Sequence, residues 1–118
     1  MAAPVGRLTR RPEFLRVAAH GKRYAAPGLV LQAMGGPGDR IRLGLTASRK
    51  VGGAVDRNRA RRRLRALAQQ VLPRHGAPGH DYVIVARRET VKRPWPRLMQ
   101  DLETALRRLG HWREGTAP

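Results

Sequence analysis

The sequence contains no cysteine, and this absence excludes disulfide bridges, metal sites built on thiolates and catalysis by a cysteine nucleophile. Acidic residues are few: Asp and Glu number 8 against 25 Lys and Arg, which leaves a formal net charge of +17. A charge of this size repels itself in the folded state, and a bound polyanion would neutralise it. Nucleic acids and anionic membrane surfaces both fit that description, so charge alone leaves the partner open.

Long apolar runs are missing as well. No segment approaches the roughly 20 apolar residues that span a bilayer, and the first residues lack the apolar centre of a signal peptide. We therefore expect a cytoplasmic protein. Hydrophobic residues still make up 41% of the 118 residues, which is enough for one modest core. The sequence thus predicts a single domain over residues 1–118, with a core from about 7 to 109 and loose termini.

Hydrophobic periodicity predicts the order helix, strands, helix, strand, helix, which is typical of a two-layer α+β domain. The predicted elements are a short helix from Pro12 to His20, strands over 29–34 and 40–47, a helix over 57–72, an interior strand over 81–86 and a helix over about 94–109. The residues up to about Thr9 have no predicted element, and the tail from Trp112 onward is expected to fray.

Single residues mark the predicted boundaries. Gly21 suits the C-cap of the first helix. Asp56 is well placed to cap the start of the second helix, and Pro73 and Gly76 to stop it. The other acidic residues are explained by structural roles; for example, Asp101 is predicted to lie on a helix surface.

Arginine is concentrated at the start of the second helix. Segment 48–65 contains one acid, Asp56, and eight basic residues, which are Arg49, Lys50, Arg57, Arg59, Arg61, Arg62, Arg63 and Arg65. Helical spacing places four polar residues on one strip beside an apolar stripe; they are Asn58, Arg61, Arg62 and Arg65. Like charges at this spacing repel one another, and a phosphate backbone would remove the penalty. Because a solvated face normally mixes both signs, the strip indicates a nucleic-acid surface, with RNA preferred.

Other constellations are weaker. The segment 50–55 has glycines near a lysine but lacks the Walker spacing, although its amides can still help to hold one phosphate. The four histidines are scattered without carboxylate partners at metal-ligand spacing. Phe14 and Tyr24 suit either base stacking or the core, and this choice stays open. No residue set has the pattern of catalytic machinery; Asp39 suits a turn and Asp81 a strand edge.

The loop 47–55 followed by the basic helix start 57–65 resembles the signature of the bacterial ribonuclease P protein component. The similarity extends to 7–14 and 21–24, which resemble the opening helix and turn of that family. The segments 42–47 and 81–87 resemble its central and late strands. The resemblance covers about residues 7–109, and loop, helix and strand occur in the family's order.

The resemblance implies an α/β sandwich with a left-handed βαβ crossover. It implies a subunit of an endoribonuclease in which the RNA subunit, with bound Mg²⁺, removes the 5′ leader of precursor tRNA. The protein would bind the catalytic RNA and the leader, hold no metal or cofactor itself and contain no catalytic residue. The implied RNA-binding residues are Arg57, Asn58, Arg59, Arg61, Arg62 and Arg65, with Arg49 and Lys50 beside them. Phe14 would line the leader cleft between the opening helix and the central sheet.

Two positions depart from the family pattern. Ala18 and Gln32 stand where aromatic residues are frequent in the cleft, so we expect weaker leader stacking here. The residues themselves also fit a ribosomal or general RNA-binding protein. A self-sufficient nuclease or a DNA-binding protein fits them less well, because neither catalytic groups nor a helix-turn-helix pattern is found.

Overall fold

A computed structural model describes residues 5–114 of the chain. The strands are β1 (Val5–Arg7), β2 (Lys22–Ala25), β3 (Leu29–Gly35), β4 (Ile41–Thr46) and β5 (His80–Ala86). The helices are α1 (Arg11–His20), α2 (Ala54–His75) and α3 (Trp95–Arg108), and a short 3-10 turn covers Arg88–Val91. The predicted α+β class is confirmed.

The strands form one five-stranded sheet in the order β1-β4-β5-β3-β2. β5 lies at the centre, as its short and almost uniformly apolar sequence predicts for an interior strand. It pairs with β4 in parallel and with β3 in antiparallel. Since α2 connects β4 to β5, the chain contains the expected βαβ crossover; its handedness stays a prediction of the family resemblance.

The two faces of the sheet carry different helices because successive strand residues point to opposite sides. On one face, α2 and α3 pack against the sheet in the main core, where Leu64, Tyr82 and Leu102 are fully buried. On the other face α1 packs over a smaller cluster that includes Val17 and Val83. The sheet thus packs against α2 and α3 on one face and against the short helix α1 on the other.

The N-terminal segment is more ordered than its sequence indicates. Val5–Arg7 pairs in parallel with β4, from Val5 opposite Ile41 to Arg7 opposite Leu43. Leu8 continues the pairing by donating its backbone N–H to the carbonyl of Leu43 at 2.9 Å, and its side chain is only 5% exposed. Three strand residues are too few to show a period of two, and their partner lies far away in sequence.

The C-terminal segment also differs from the expected fraying. The indole of Trp112 stacks on the imidazole of His75 with ring centroids 3.9 Å apart. Arg113 donates its backbone N–H to the carbonyl of His75 at 2.9 Å. The end of α2 therefore holds residues 112 and 113 in place, while residues 115–118 and 1–4 lie outside the described part of the chain.

Helix α2 extends beyond both predicted ends. It begins at Ala54 with Gly53 as its N-cap, so the prediction of Asp56 as the cap is wrong. Asp56 lies in the first turn instead, where a carboxylate interacts favourably with the helix dipole. At the other end Pro73 lies inside the last turn, and only Gly76 ends the helix, with its N–H bonded to the carbonyl of Leu72.

Asp101 is more buried than predicted. Asp101 is 5% exposed and accepts hydrogen bonds from the backbone N–H of Gly28 and from Arg93, so its placement on a helix surface is wrong.

None of the helices within residues 5–114 combines the length and the apolar character needed to cross a bilayer.

Candidate nucleic-acid interface

A tight turn between β4 and α2 presents two basic side chains. Val51 donates its N–H to the carbonyl of Ser48 at 3.0 Å, and Gly52 donates to the carbonyl of Arg49 at 3.2 Å. Gly52 has a φ of 146°, which residues with a side chain rarely adopt. Val51 is buried and anchors the turn, whereas Arg49 and Lys50 are exposed. The turn therefore places two free cations beside the first turn of α2.

The predicted strip on α2 exists as one surface. Asn58 accepts a hydrogen bond from Arg61 at 3.1 Å, and Arg61 also donates to the carbonyl of Ala47 at 3.4 Å, which ties the strip to the end of β4. Arg62 and Arg65 are exposed on the same side of the helix. None of the ion pairs within residues 5–114 uses an arginine from 57 to 65. The strip is thus a surface of uncompensated positive charge.

Two predicted contact residues lie outside this strip. Arg57 is half-buried next to the turn at the start of α2. Arg59 is exposed, but it lies about 100° around the helix from Asn58. The structure therefore brings Arg49, Lys50, Arg57 and the strip to one end of the molecule, and it leaves Arg59 on the neighbouring flank of α2.

Arg63, which is not part of the predicted strip, turns inward. Its guanidinium donates to three backbone carbonyls, those of Thr90 (2.5 Å), Val91 (2.9 Å) and Arg93 (2.6 Å). It also lies 5.9 Å from the centroid of the Trp95 ring. A planar group with several N–H donors suits this set of acceptors. Arg63 therefore joins α2 to the segment that leads into α3.

Phe14 lies between α1 and the sheet. Its ring packs so closely over Gly44 that a Cβ at this position would collide with it. It is only partly buried and belongs to the smaller cluster with Leu8, Val17 and Val83. Ala18, in contrast, is exposed and adds no apolar wall to this part of the surface. One part of the Phe14 ring thus packs in this cluster, and another part stays accessible to solvent.

An ion-pair network fixes α1 on the sheet. Asp81, which is 1% exposed, accepts two hydrogen bonds from Arg42 at 2.8 and 2.7 Å and a third from Arg16 at 3.1 Å. Glu13 accepts a further bond from Arg42 at 2.9 Å. The backbone N–H groups of Arg10 and Thr9 also bind this carboxylate and lower the pKa of Glu13. The simple strand-edge role expected for Asp81 is therefore wrong.

A groove of about 570 Å³ connects the strip on α2 with the surface around Phe14. It lies between α2 and the edge of the sheet formed by β1 and β4. Its floor is apolar and includes Leu43 and Leu45, and its borders include Arg61 and Arg65 of the strip. Phe14 of α1 lines the same groove. One continuous surface therefore combines apolar area with guanidinium groups.

Three of the four histidines, His75, His80 and His111, pack against aromatic rings near the C-terminal end of α2. Within residues 5–114 no three His, Asp or Glu side chains are grouped as ligands for a metal ion. The hydroxyl of Tyr82 lies 2.8 Å from Nδ1 of His111, and the His80 ring packs against His111 with centroids 4.5 Å apart. Burial raises the pKa of Tyr82 to about 12 and lowers the pKa of His111. These rings pack the C-terminal segment onto β5.

The sequence reasoning missed three residues that shape this interface: Arg42, Asp81 and Gln69. The partners of Arg42 and Asp81 are on other elements, so local patterns carry no signal for them. Gln69 lines the groove four residues after Arg65. Extending the spacing of the strip by one more turn of α2 would have found it.

The chain resembles known proteins over most of its length. The family model described as Ribonuclease P matches residues 4–110. The ribonuclease P protein component of Paramagnetospirillum magneticum is 52% identical over 115 residues, which cover 93% of this chain and 86% of that protein. The corresponding protein of Gluconacetobacter diazotrophicus is 44% identical over 111 residues, which cover 93% of this chain and 96% of that protein.

Solved structures support the same fold. The ribonuclease P protein of Staphylococcus aureus superposes with a TM-score of 0.77 at 24% identity, over 91% of this chain and 97% of that chain. The protein of Thermotoga maritima superposes with a TM-score of 0.69 at 24% identity, over 83% of this chain and 92% of that chain. At this identity the solved structures show only that the fold is shared. The family model and the more similar relatives show that the chain belongs to the same family. The chain therefore belongs to the ribonuclease P protein family.

Proposed function

We propose that this chain is the protein subunit of ribonuclease P. It binds the catalytic RNA subunit and the 5′ leader of precursor tRNA, and it assists the endonucleolytic removal of that leader. The holoenzyme is an endoribonuclease whose chemistry is carried out by the RNA, so the protein acts by binding and positioning. Membership of the family and identity of 52% to a ribonuclease P protein component support this role.

One observation carries the proposal: Phe14 and the strip residues Arg61 and Arg65 line the same groove. Phosphate groups bind guanidinium groups, and single-stranded bases bind aromatic and apolar surfaces. A surface that offers both within one concavity suits a single strand that runs beside a structured RNA. The leader of a precursor tRNA bound next to the catalytic RNA has this arrangement.

The roles of individual residues follow from their places. We assign contacts with RNA to Arg49, Lys50, Arg57, Asn58, Arg59, Arg61, Arg62 and Arg65. Arg59 points to the neighbouring flank of α2, so it would meet a different RNA segment from the strip. Phe14 is assigned to the leader cleft. With Ala18 exposed and Gln32 on the facing strand, arginine contacts would have to supply more of the leader affinity here.

The proposal also includes the site of Mg²⁺ binding, the domain organisation and the cellular location. Mg²⁺ is assigned to the RNA subunit, where phosphate oxygens are the hard ligands that this ion prefers. The protein would act as one RNA-binding domain in the cytoplasm. Its charge of +17 would reduce the repulsion between the two RNA molecules.

A reconstitution assay tests the proposal. We expect the purified protein, added to the catalytic RNA from the same source at low Mg²⁺, to raise the rate of leader cleavage from precursor tRNA. Protein free of RNA should cleave nothing. A protein that binds both RNAs without raising cleavage would be a general RNA-binding protein. Site-specific cleavage by the protein alone would identify a nuclease.

A further inference from the structure

The groove beside α2 continues from the cleft that α1 forms with the sheet. Leu43 and Leu45 belong to the face of the sheet that α2 covers. Met34 and Val83 belong to the opposite face, which α1 covers. Phe14 lies at the edge between them and contributes to both surfaces. The groove therefore starts where the expected leader cleft ends and continues around the β1 edge of the sheet.

One wall of the groove is a single line of side chains on α2. Arg61, Arg65, Gln69 and Pro73 follow one another at intervals of four residues, and all four line the groove. Residues four apart are neighbours on one side of a helix. The charged part of the line is near the start of α2, and the uncharged amide and ring are deeper along it. The chemical character of this wall thus changes from charged to uncharged along its length.

The remaining groups match the parts of a nucleotide. The floor formed by Leu43 and Leu45 is apolar and suits the face of an unstacked base. The amide of Gln69 offers donors and an acceptor, which suits the hydrogen-bonding edge of a base. The guanidinium groups of Arg61 and Arg65 suit the adjoining phosphates. A volume of about 570 Å³ lies within the range of about 300–1,000 Å³ usual for pockets that bind small molecules.

We propose that this groove binds one unstacked nucleotide of single-stranded RNA, with Gln69 at the edge of its base. The inference rests on the proposed function, since it assumes that the strip meets RNA. The ligand chemistry is the same whether the nucleotide comes from the precursor leader or from the catalytic RNA. Gln69 is then a residue that determines how tightly, and for which base, the groove binds.

The chain contains a matched control for this proposal. Gln69 and Gln70 are both exposed and adjacent on α2. Gln69 lines the groove, whereas Gln70 lies about 100° further around the helix, on the side of Arg63. Replacing either glutamine with glutamate changes the net charge and the helix sequence in the same way. A difference between the two variants therefore reports the groove and not the overall charge.

The first experiment compares Gln69→Glu with Gln70→Glu for binding of catalytic RNA alone and of precursor tRNA by the reconstituted holoenzyme. We expect Gln69→Glu to weaken one of these affinities on the order of tenfold relative to Gln70→Glu, as for the loss of one hydrogen bond to a base edge. Loss on catalytic RNA alone assigns the nucleotide to that RNA. If the affinity falls for precursor tRNA but not for tRNA without a leader, the nucleotide belongs to the leader.

A second experiment uses the absence of cysteine from the sequence. Gln69→Cys and Gln70→Cys each introduce the only thiol of the protein, whose labelling by a maleimide can be followed. Bound RNA should slow labelling at position 69 and leave position 70 unchanged. Equal affinities and equal labelling for the two positions, in a wild-type protein that does stimulate cleavage, would overturn the groove assignment alone. A wild-type protein without stimulation would instead overturn the proposed function.

Discussion

Two neighbouring arginines of α2, Arg62 and Arg63, have opposite surroundings. Arg62 is exposed on the strip, whereas the guanidinium of Arg63 donates to the carbonyls of Thr90, Val91 and Arg93. Hydrogen bonds from a charged group contribute more than neutral ones, and carbonyls that lose their donor must find water. Arg62 is therefore available to a ligand, whereas Arg63 stabilises the fold.

This difference gives a prediction at the level of single residues. We expect Arg63→Ala to lower the free energy of unfolding by about 2 kcal/mol, because three carbonyls lose their donor. Arg62→Ala should leave stability nearly unchanged and weaken RNA binding. Urea denaturation and RNA titration of both variants provide the measurement. Equal stability of the two variants would show that the contacts of Arg63 contribute little.

The same residues show how far the sequence alone leads. The strip of Asn58, Arg61, Arg62 and Arg65 is predictable because helical spacing is a local property. The role of Arg63 is not, since its acceptors at residues 90–93 come from a distant part of the chain. For the same reason Val5–Arg7 is missed as a strand: its pairing partner is β4, and three residues show no period.

At the level of elements, α1 depends on the sheet for its position. It has only 10 residues, and isolated helices shorter than about 12–15 residues are marginal in water. One buried side chain, Val17, and the contacts of Glu13 and Arg16 with the Arg42–Asp81 pair hold it in place. The position of Phe14 therefore depends on charges that lie on β4 and β5.

We therefore expect Asp81→Asn to loosen α1. Removing one partner of a buried ion pair costs about 3–5 kcal/mol. Arg16 would lose its carboxylate partner here, and Arg42 would keep only Glu13. Asp81→Asn should accelerate hydrogen exchange more in α1 than in α3. It should also weaken leader binding more than binding of catalytic RNA. Asp39→Asn, at an exposed turn, is the control. Uniform acceleration of exchange in every element would contradict this role.

At the level of the whole molecule, charge has a general and a local effect. The net charge of +17 attracts any polyanion, whereas the strip is proposed to make particular phosphate contacts. Binding that releases counterions weakens with salt, and the slope of log affinity against log salt concentration counts the contacts. Variants with equal net charge therefore separate the two effects.

We expect Arg61→Ala combined with Arg65→Ala to reduce that slope by about two units, one for each phosphate contact. The control combines Arg97→Ala with Arg108→Ala. Both arginines are exposed on α3, and the two substitutions remove the same charge. RNA binding at several salt concentrations is the measurement. An identical slope change in both pairs would mean that overall charge alone determines affinity.

The order of strands in the sheet also affects how the protein forms on the ribosome. β5 occupies the centre, between β4 and β3, although it is the last strand within residues 5–114. Until residues 80–86 have left the exit tunnel, β4 and β3 have no shared neighbour, and the apolar stripe of α2 lacks the central strand of its sheet. The arginine-rich segment thus emerges before the domain can close. The nascent chain should therefore present its basic residues to ribosomal RNA before it reaches its native fold.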